Sequence, residues 1–108
     1  MKFLTLLKFK PGMPPGDPQM AIGMNEAVKG WIQASIASGK LDNAYNVMPS
    51  AQNYYGMGVG NANSLEEVFE FLTTYPGYLV TDFEVYPLTE VNAAIDNVNG
   101  ALRKVMGG

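Results

Sequence analysis

Residues 2–10, KFLTLLKFK, put Leu4, Leu6, Lys8 and Lys10 on one parity and Phe3, Thr5, Leu7 and Phe9 on the other, the two-residue period of a strand. Four prolines and two glycines in 11–18 stop it. Asp17 followed by Pro18 then predicts a helix start, and Met20, Met24, Val28, Trp31, Ile32 and Ile36 recur at helical spacing up to Gly39. Residues 41–48 and 54–60 read as the two arms of a hairpin around the turn PSAQN. Ser64 with Glu67 forms a capping box, and Val68, Phe69, Phe71 and Leu72 give the helix that follows its apolar side before Tyr75-Pro76-Gly77 ends it. Residues 78–88, YLVTDFEVYPL, alternate as a strand, with Pro87 near the end, where a missing donor is tolerated. Thr89 is the expected cap of a last helix whose Val91, Ile95, Val98, Leu102 and Val105 form a narrow stripe of coiled-coil type. Gly100 and nearby asparagines weaken that helix, so contact with other elements or another subunit is expected to hold it.

Strand, helix, strand, strand, helix, strand is the order of a ferredoxin-like α+β sandwich, here as one domain over 1–108 with an extra C-terminal helix. Its helices cover one face of the sheet, so the other face must be polar or be covered by another molecule. In the last strand Leu79, Phe83 and Val85 are assigned to the helix-packed core, and Val80, Asp82, Glu84 and Tyr86 to the open face. In 54–60, Tyr55, Met57 and Val59 share one parity, and Tyr54, Gly56, Gly58 and Gly60 the other. Glycines inside a strand mark a bend or a close approach, so a cavity is expected above the open face. Lys8 is placed on that face too, near Asp82 or Glu84, because the first and last strands of this order are antiparallel neighbours.

Composition narrows the chemistry. With no histidine and no cysteine, the chain cannot build a Ser-His-Asp or Cys-His unit, a disulfide, or a zinc site of imidazole and thiolate. The charged fraction of 16% is below the roughly 25% of ordinary domains, which suggests a surface covered by a partner subunit. A net charge of -3 with only 7 Lys and Arg, spread along the chain, argues against nucleic acid. No apolar run approaches a membrane span, and 3–7 is too short for a signal peptide, so a cytoplasmic location is expected.

Asp82 and Glu84 lie two apart on one strand face, where two carboxylates can split their pKa values into an acid and a base; alternatively they are solvated or paired with Lys8 and Lys10. Tyr54 and Tyr86 can offer phenols to a substrate or pack an interface. Trp31 is a pocket wall or core. Met13, Met20 and Met24 could line an adaptable lid or fill the core. The stretch 56–60, GMGVG, lacks the spacing and following helix of a phosphate loop.

Ser38-Gly39-Lys40-Leu41, residues 65–76 (LEEVFEFLTTYP) and the DFEVYPL ending of 78–88 resemble the muconolactone isomerase family of the dimeric α/β-barrel superfamily. The resemblance implies a homodimer whose open sheet faces pack into a barrel, with a pocket between sheet and helices in each subunit. It also implies a cofactor-free isomerase acting on a small organic acid or lactone. In that reading Lys8 orients an anionic group, Asp82, Glu84 and Tyr54 are the acid-base groups, and Tyr86, Gly56, Gly58 and Trp31 contact substrate. The chain departs from relatives by having no histidine for haem and by carrying Leu4 and Leu6 where polar residues are common in the family. A non-catalytic ligand-binding or assembly domain, and a cofactor-independent monooxygenase, are the alternatives.

Overall fold

Strands and helices take up nearly all of the computed structural model, which describes residues 1–12, 16–47 and 54–107. They run β1 (Lys2–Phe9), α1 (Pro18–Ala37), β2 (Leu41–Asn46), β3 (Gly56–Asn61), α2 (Leu65–Thr73), a 3₁₀ turn (Tyr78–Val80), β4 (Thr81–Leu88) and α3 (Val91–Gly107). The expected turn at 49–53 and Met13 lie outside the described residues. The sheet has the antiparallel order β2-β3-β1-β4, the ferredoxin-like arrangement with its two long edges formed by β2 and β4.

Local signals set the helix starts. The Asp17 carboxylate accepts from the Gln19 backbone N–H at 3.0 Å, and the Ser64 hydroxyl from that of Glu67 at 3.2 Å, so each satisfies a donor the first helical turn leaves free. The last helix departs from expectation. Glu90, not Thr89, caps it, its carboxylate accepting from the Ala93 N–H at 3.0 Å. The 3₁₀ turn is a second departure, because Val80 N–H bonds back to the Gly77 carbonyl at 3.1 Å and the strand begins only at Thr81. Leu79 is consequently 81% exposed instead of in the core, while Val80 is buried. Phe69, expected on the packed side of α2, points outward as well.

Strand parity sorts the side chains between the two faces. Phe3, Thr5 and Leu7 are buried under the helices, and Phe3 forms the core with Ala62, Val68 and Leu72, against which Phe71, Phe83 and Val85 pack. Complete burial of Phe3 and Val68 contributes roughly 1.5–3 kcal/mol each. On the opposite face Leu4 stands across from Tyr86 and Val59, Leu6 from Glu84 and Met57, and Lys8 from Asp82. The Lys8–Asp82 neighbourhood is as the sequence suggests.

The glycine stripe is the main correction. Gly56, Gly58 and Gly60 pair with Leu7, Thr5 and Phe3, so they lie on the helix-covered face and not the open one. Tyr54 and Tyr55 also exchange sides relative to a continuous strand, because the chain bends at Tyr55 and β3 starts only at Gly56. Gly60 has no alternative: a Cβ there would sit 2.5 Å from the Lys40 carbonyl oxygen and 2.7 Å from the Phe3 ring. At Gly58 the nearest atoms would be 3.6 Å away, an ordinary contact.

No residue of α3 is buried, and its stripe of Val91, Ile95, Val98, Leu102 and Val105 is exposed along its whole length. The described chain measures 64 × 31 × 22 Å with a radius of gyration of 17.6 Å, against about 13 Å for a close-packed domain of this size. No helix among the described residues is long and apolar enough to cross a membrane.

Candidate functional site

α1 turns Ala21, Met24, Val28, Trp31, Ile32 and Ser35 inward, but it does not press them onto the sheet. The strand below offers glycine where a side chain would fill the space. The result is a cavity of about 390 Å³ between α1 and the sheet, floored by Thr5, Leu7, Gly56 and Gly58 and walled by Trp31, Tyr55, Tyr75 and Phe83. That size lies at the lower end of ligand pockets, which run from roughly 300 to 1,000 Å³.

Aromatic packing fixes the walls. Trp31 stacks on Phe71 with centroids 4.7 Å apart and meets Tyr75 edge-on at 5.2 Å, while its indole N–H donates to the Thr74 hydroxyl at 2.8 Å. Tyr55 stacks on Phe9 at 4.0 Å. Its hydroxyl lies 2.8 Å from that of Tyr75 and 2.8 Å from that of Thr81, a chain of three hydroxyls with Tyr55 in the middle. Two hydrogen bonds use two of the three protons, so one O–H remains to donate outside the chain. When Thr81 donates to Tyr55 and Tyr55 to Tyr75, the free donor is the Tyr75 phenol on the cavity wall. Burial, reinforced by its bond to Tyr55, pushes the Tyr75 phenol well above the usual range, so it is a neutral donor at any physiological pH.

Thr5 is 3% exposed, and its hydroxyl has no hydrogen-bond partner among the described residues. No Lys, Arg, Asp or Glu is found among the described residues lining the cavity.

The expected site residues do not share one place. Trp31, Gly56 and Gly58 line the cavity. Lys8, Asp82, Glu84 and Tyr86 stand on the opposite, open face of the sheet, and Tyr54 reaches the same face. There the Glu84 carboxylate accepts from the Tyr54 phenol at 2.5 Å through one oxygen and from the Tyr86 phenol at 2.5 Å through the other. Those two bonds, with the charge of Lys8 nearby, hold Glu84 below its ordinary value, and the carboxylate in turn pushes both phenols up. Asp82 is taken by Lys10 at 2.8 Å, so the two carboxylates have separate partners and no shared proton. The cavity expected above the open face is therefore beneath the helices, because the glycines and the carboxylates have opposite parity.

Tyr55, Tyr75 and Thr5 escape the sequence reading. Thr5 carries a signal nonetheless, as the one polar residue on the buried parity of β1.

No family model matches the chain, and no curated protein matches it in sequence. Among solved structures it is similar to muconolactone isomerase, with 23% identity over 83% of this chain and 90% of the other and a TM-score of 0.69. It is similar also to the 5-chloro-2-hydroxyhydroquinone dehydrochlorinase of Burkholderia phenoliruptrix, whose structure is a complex with 2,5-dihydroxybenzoquinone; here the identity is 18% over 83% and 95% of the two chains, with a TM-score of 0.61. Strand order, helix placement and these likenesses agree that the chain has the ferredoxin-like fold of muconolactone isomerase.

Proposed function

We propose that the chain is a small-molecule enzyme working in the cavity between α1 and the sheet, moving a proton on a small cyclic compound such as a lactone in an isomerase-type reaction that needs no cofactor. The observation that carries this reading is the hydroxyl chain of Thr81, Tyr55 and Tyr75 ending on the wall of an apolar cavity. A neutral phenol donor on a mainly apolar wall stabilises the oxyanion that forms when a proton leaves the carbon beside a carbonyl. The names of the two structural relatives, an isomerase and a dehydrochlorinase, support a small-molecule reaction on this fold.

Such a reaction also needs a proton acceptor. Because no carboxylate or amine is among the described residues lining the cavity, a second reading, binding without turnover, has an observation of its own. Nuclear magnetic resonance in D2O separates the two. Incubation with small lactones and hydroxylated ring compounds should show exchange at a ring carbon, slowed about tenfold or more by Tyr75→Phe. Binding with no exchange supports the second reading, and no binding of any compound removes both.

In the same proposal the open face is an interface with a second copy of the chain. Leu4, Leu6, Met57 and Val59 are only half covered there, and the α3 stripe has no partner in its own chain. Lys8, Asp82 and Glu84 then belong to the subunit contact, with Tyr54 and Tyr86 locking Glu84 in place.

A further inference from the structure

Two apolar features of the described chain are left in water. One is the α3 stripe of Val91, Ile95, Val98, Leu102 and Val105. The other is a groove of about 380 Å³ between α2 and the start of β4. It is lined by the buried Leu72 and by the stacked rings of Tyr78 and Phe83, 5.9 Å apart, and rimmed by Phe69 and Leu79, which are 52% and 81% exposed. An occupant of the groove would take that rim out of water, which is favourable in proportion to the apolar area covered. Lys10 and Asp82, the charged residues among the described lining, neutralise each other at 2.8 Å. As the chain is folded the two features do not meet. α3 starts beyond the opposite end of β4, about 20 Å from the groove at the rise of a strand, and buries none of its residues.

We propose that this groove seats α3 of a second copy of the chain. The inference rests on self-association and adds to it the place where the stripe is buried. A helix with apolar residues three and four apart is the shape a hydrophobic groove receives. Charge supports the same pairing. α2, which forms one wall, carries Glu66, Glu67 and Glu70 and no Lys or Arg, whereas α3 after Asp96 carries Arg103 and Lys104 and no acid. A helix lying in a groove meets walls as well as floor, so the long bases next to Leu102 come within reach of the acids next to Phe69. Exposed pairs of this kind add little affinity, and their use is to set which way the helix lies. Pairing of two α3 stripes with each other lacks that guide, since the flanking Asn92, Ala94, Asn99 and Ala101 are uncharged.

Complementation between two variants of the full chain tests it, with subunit number followed by native mass spectrometry over a dilution series. Phe69→Glu spoils the groove and leaves α3 intact, and Leu102→Glu does the reverse; both residues are exposed, so circular dichroism should show both variants folded. Each alone should associate about thirtyfold or more weakly than the unaltered chain, the loss expected when an apolar anchor is replaced by a charge. Mixed, the α3 of one variant meets the intact groove of the other, and assemblies carrying both masses should survive greater dilution than either variant alone. A second pair of variants reads the charges. Arg103→Glu with Lys104→Glu should weaken association severalfold, and adding Glu66→Lys with Glu70→Lys in the same chain should restore it. Undiminished association of Phe69→Glu, or a mixture no stronger than its components, overturns the inference and leaves the open sheet face as the contact. An unaltered chain that is a monomer at every concentration overturns the inference and the reading of self-association together.

Discussion

Thr5 and Gly58 face each other across neighbouring strands, the one with a hydroxyl that bonds to nothing and the other with no side chain at all. Together they make the floor of the cavity, and a methyl group at Gly58 would touch Thr5 and Leu41 at 3.6 Å. Gly58→Ala should therefore fold without strain and gain up to about 1 kcal/mol from reduced backbone freedom. It also narrows the cavity, so ring compounds should bind more weakly to a protein with an equal or higher urea midpoint. A lower midpoint would contradict the ordinary contacts found at this position.

Gly60, two residues on, should behave in the opposite way. Its added carbon would collide with the Lys40 carbonyl and the Phe3 ring at the centre of the core. Gly60→Ala is expected to destabilise by about 1–3 kcal/mol, the range for overpacking a filled core. Urea unfolding of the two alanine variants side by side checks the contrast.

The clamp on Glu84 predicts a titration. Its carboxyl lies below the ordinary 4.5 because two phenols donate to its charged form, so this stabilisation is complete above the unfolded value and fades as pH falls through the folded one. Tyr54 and Tyr86 lie above 10.0, so their share is complete below that value and fades as pH rises through their folded values. Phenolate absorbance in a pH titration should show both groups ionising later than free tyrosine, and Glu84→Gln should return them toward 10.0. Tyr75 should stay raised in that variant, since burial and Tyr55, not Glu84, hold it.

Trp31→Phe keeps a ring in the stack on Phe71 but loses the indole donor to Thr74. The expected cost is about 1 kcal/mol of stability, the usual net value of such a bond. A larger loss, measured by thermal unfolding, would mean that Trp31 props the cavity open by bulk more than by its hydrogen bond.

Leu102→Glu places a charge in the middle of the exposed stripe of α3. Within one chain nothing is buried there, so secondary structure by circular dichroism should be unchanged. Subunit number by native mass spectrometry should fall from a dimer or its multiple to one, and an unchanged assembly would place the interface elsewhere.

Period-two alternation made the faces of β1 and β4 legible, since Lys8, Asp82 and Glu84 on one side and Phe3, Phe83 and Val85 on the other follow from residue order alone. The topology was legible too, because the element order admits few arrangements. What failed was the position of the cavity as inferred from strand parity, above the open face, whereas the family resemblance implied a pocket between sheet and helices, where the cavity lies. A glycine has no side chain to be polar or apolar, so its face could be inferred only from neighbours, and the bend at Tyr55 broke the parity that linked the glycines to Tyr54. Likewise Leu79 looked like strand because the 3₁₀ turn at Tyr78–Val80 is closed by backbone bonds that leave no mark in composition. The hydroxyl chain joins residues from three separate stretches of sequence, and no local pattern brings Tyr55, Tyr75 and Thr81 together.

The uncovered stripe on α3 has a thermodynamic meaning. A protein that leaves its longest row of aliphatic side chains in water places part of its folding free energy in whatever associates with that row. When the associate is another copy of the same chain, mass action makes the melting temperature rise with protein concentration. A single unfolding free energy would then describe the preparation and its dilution as much as the sequence.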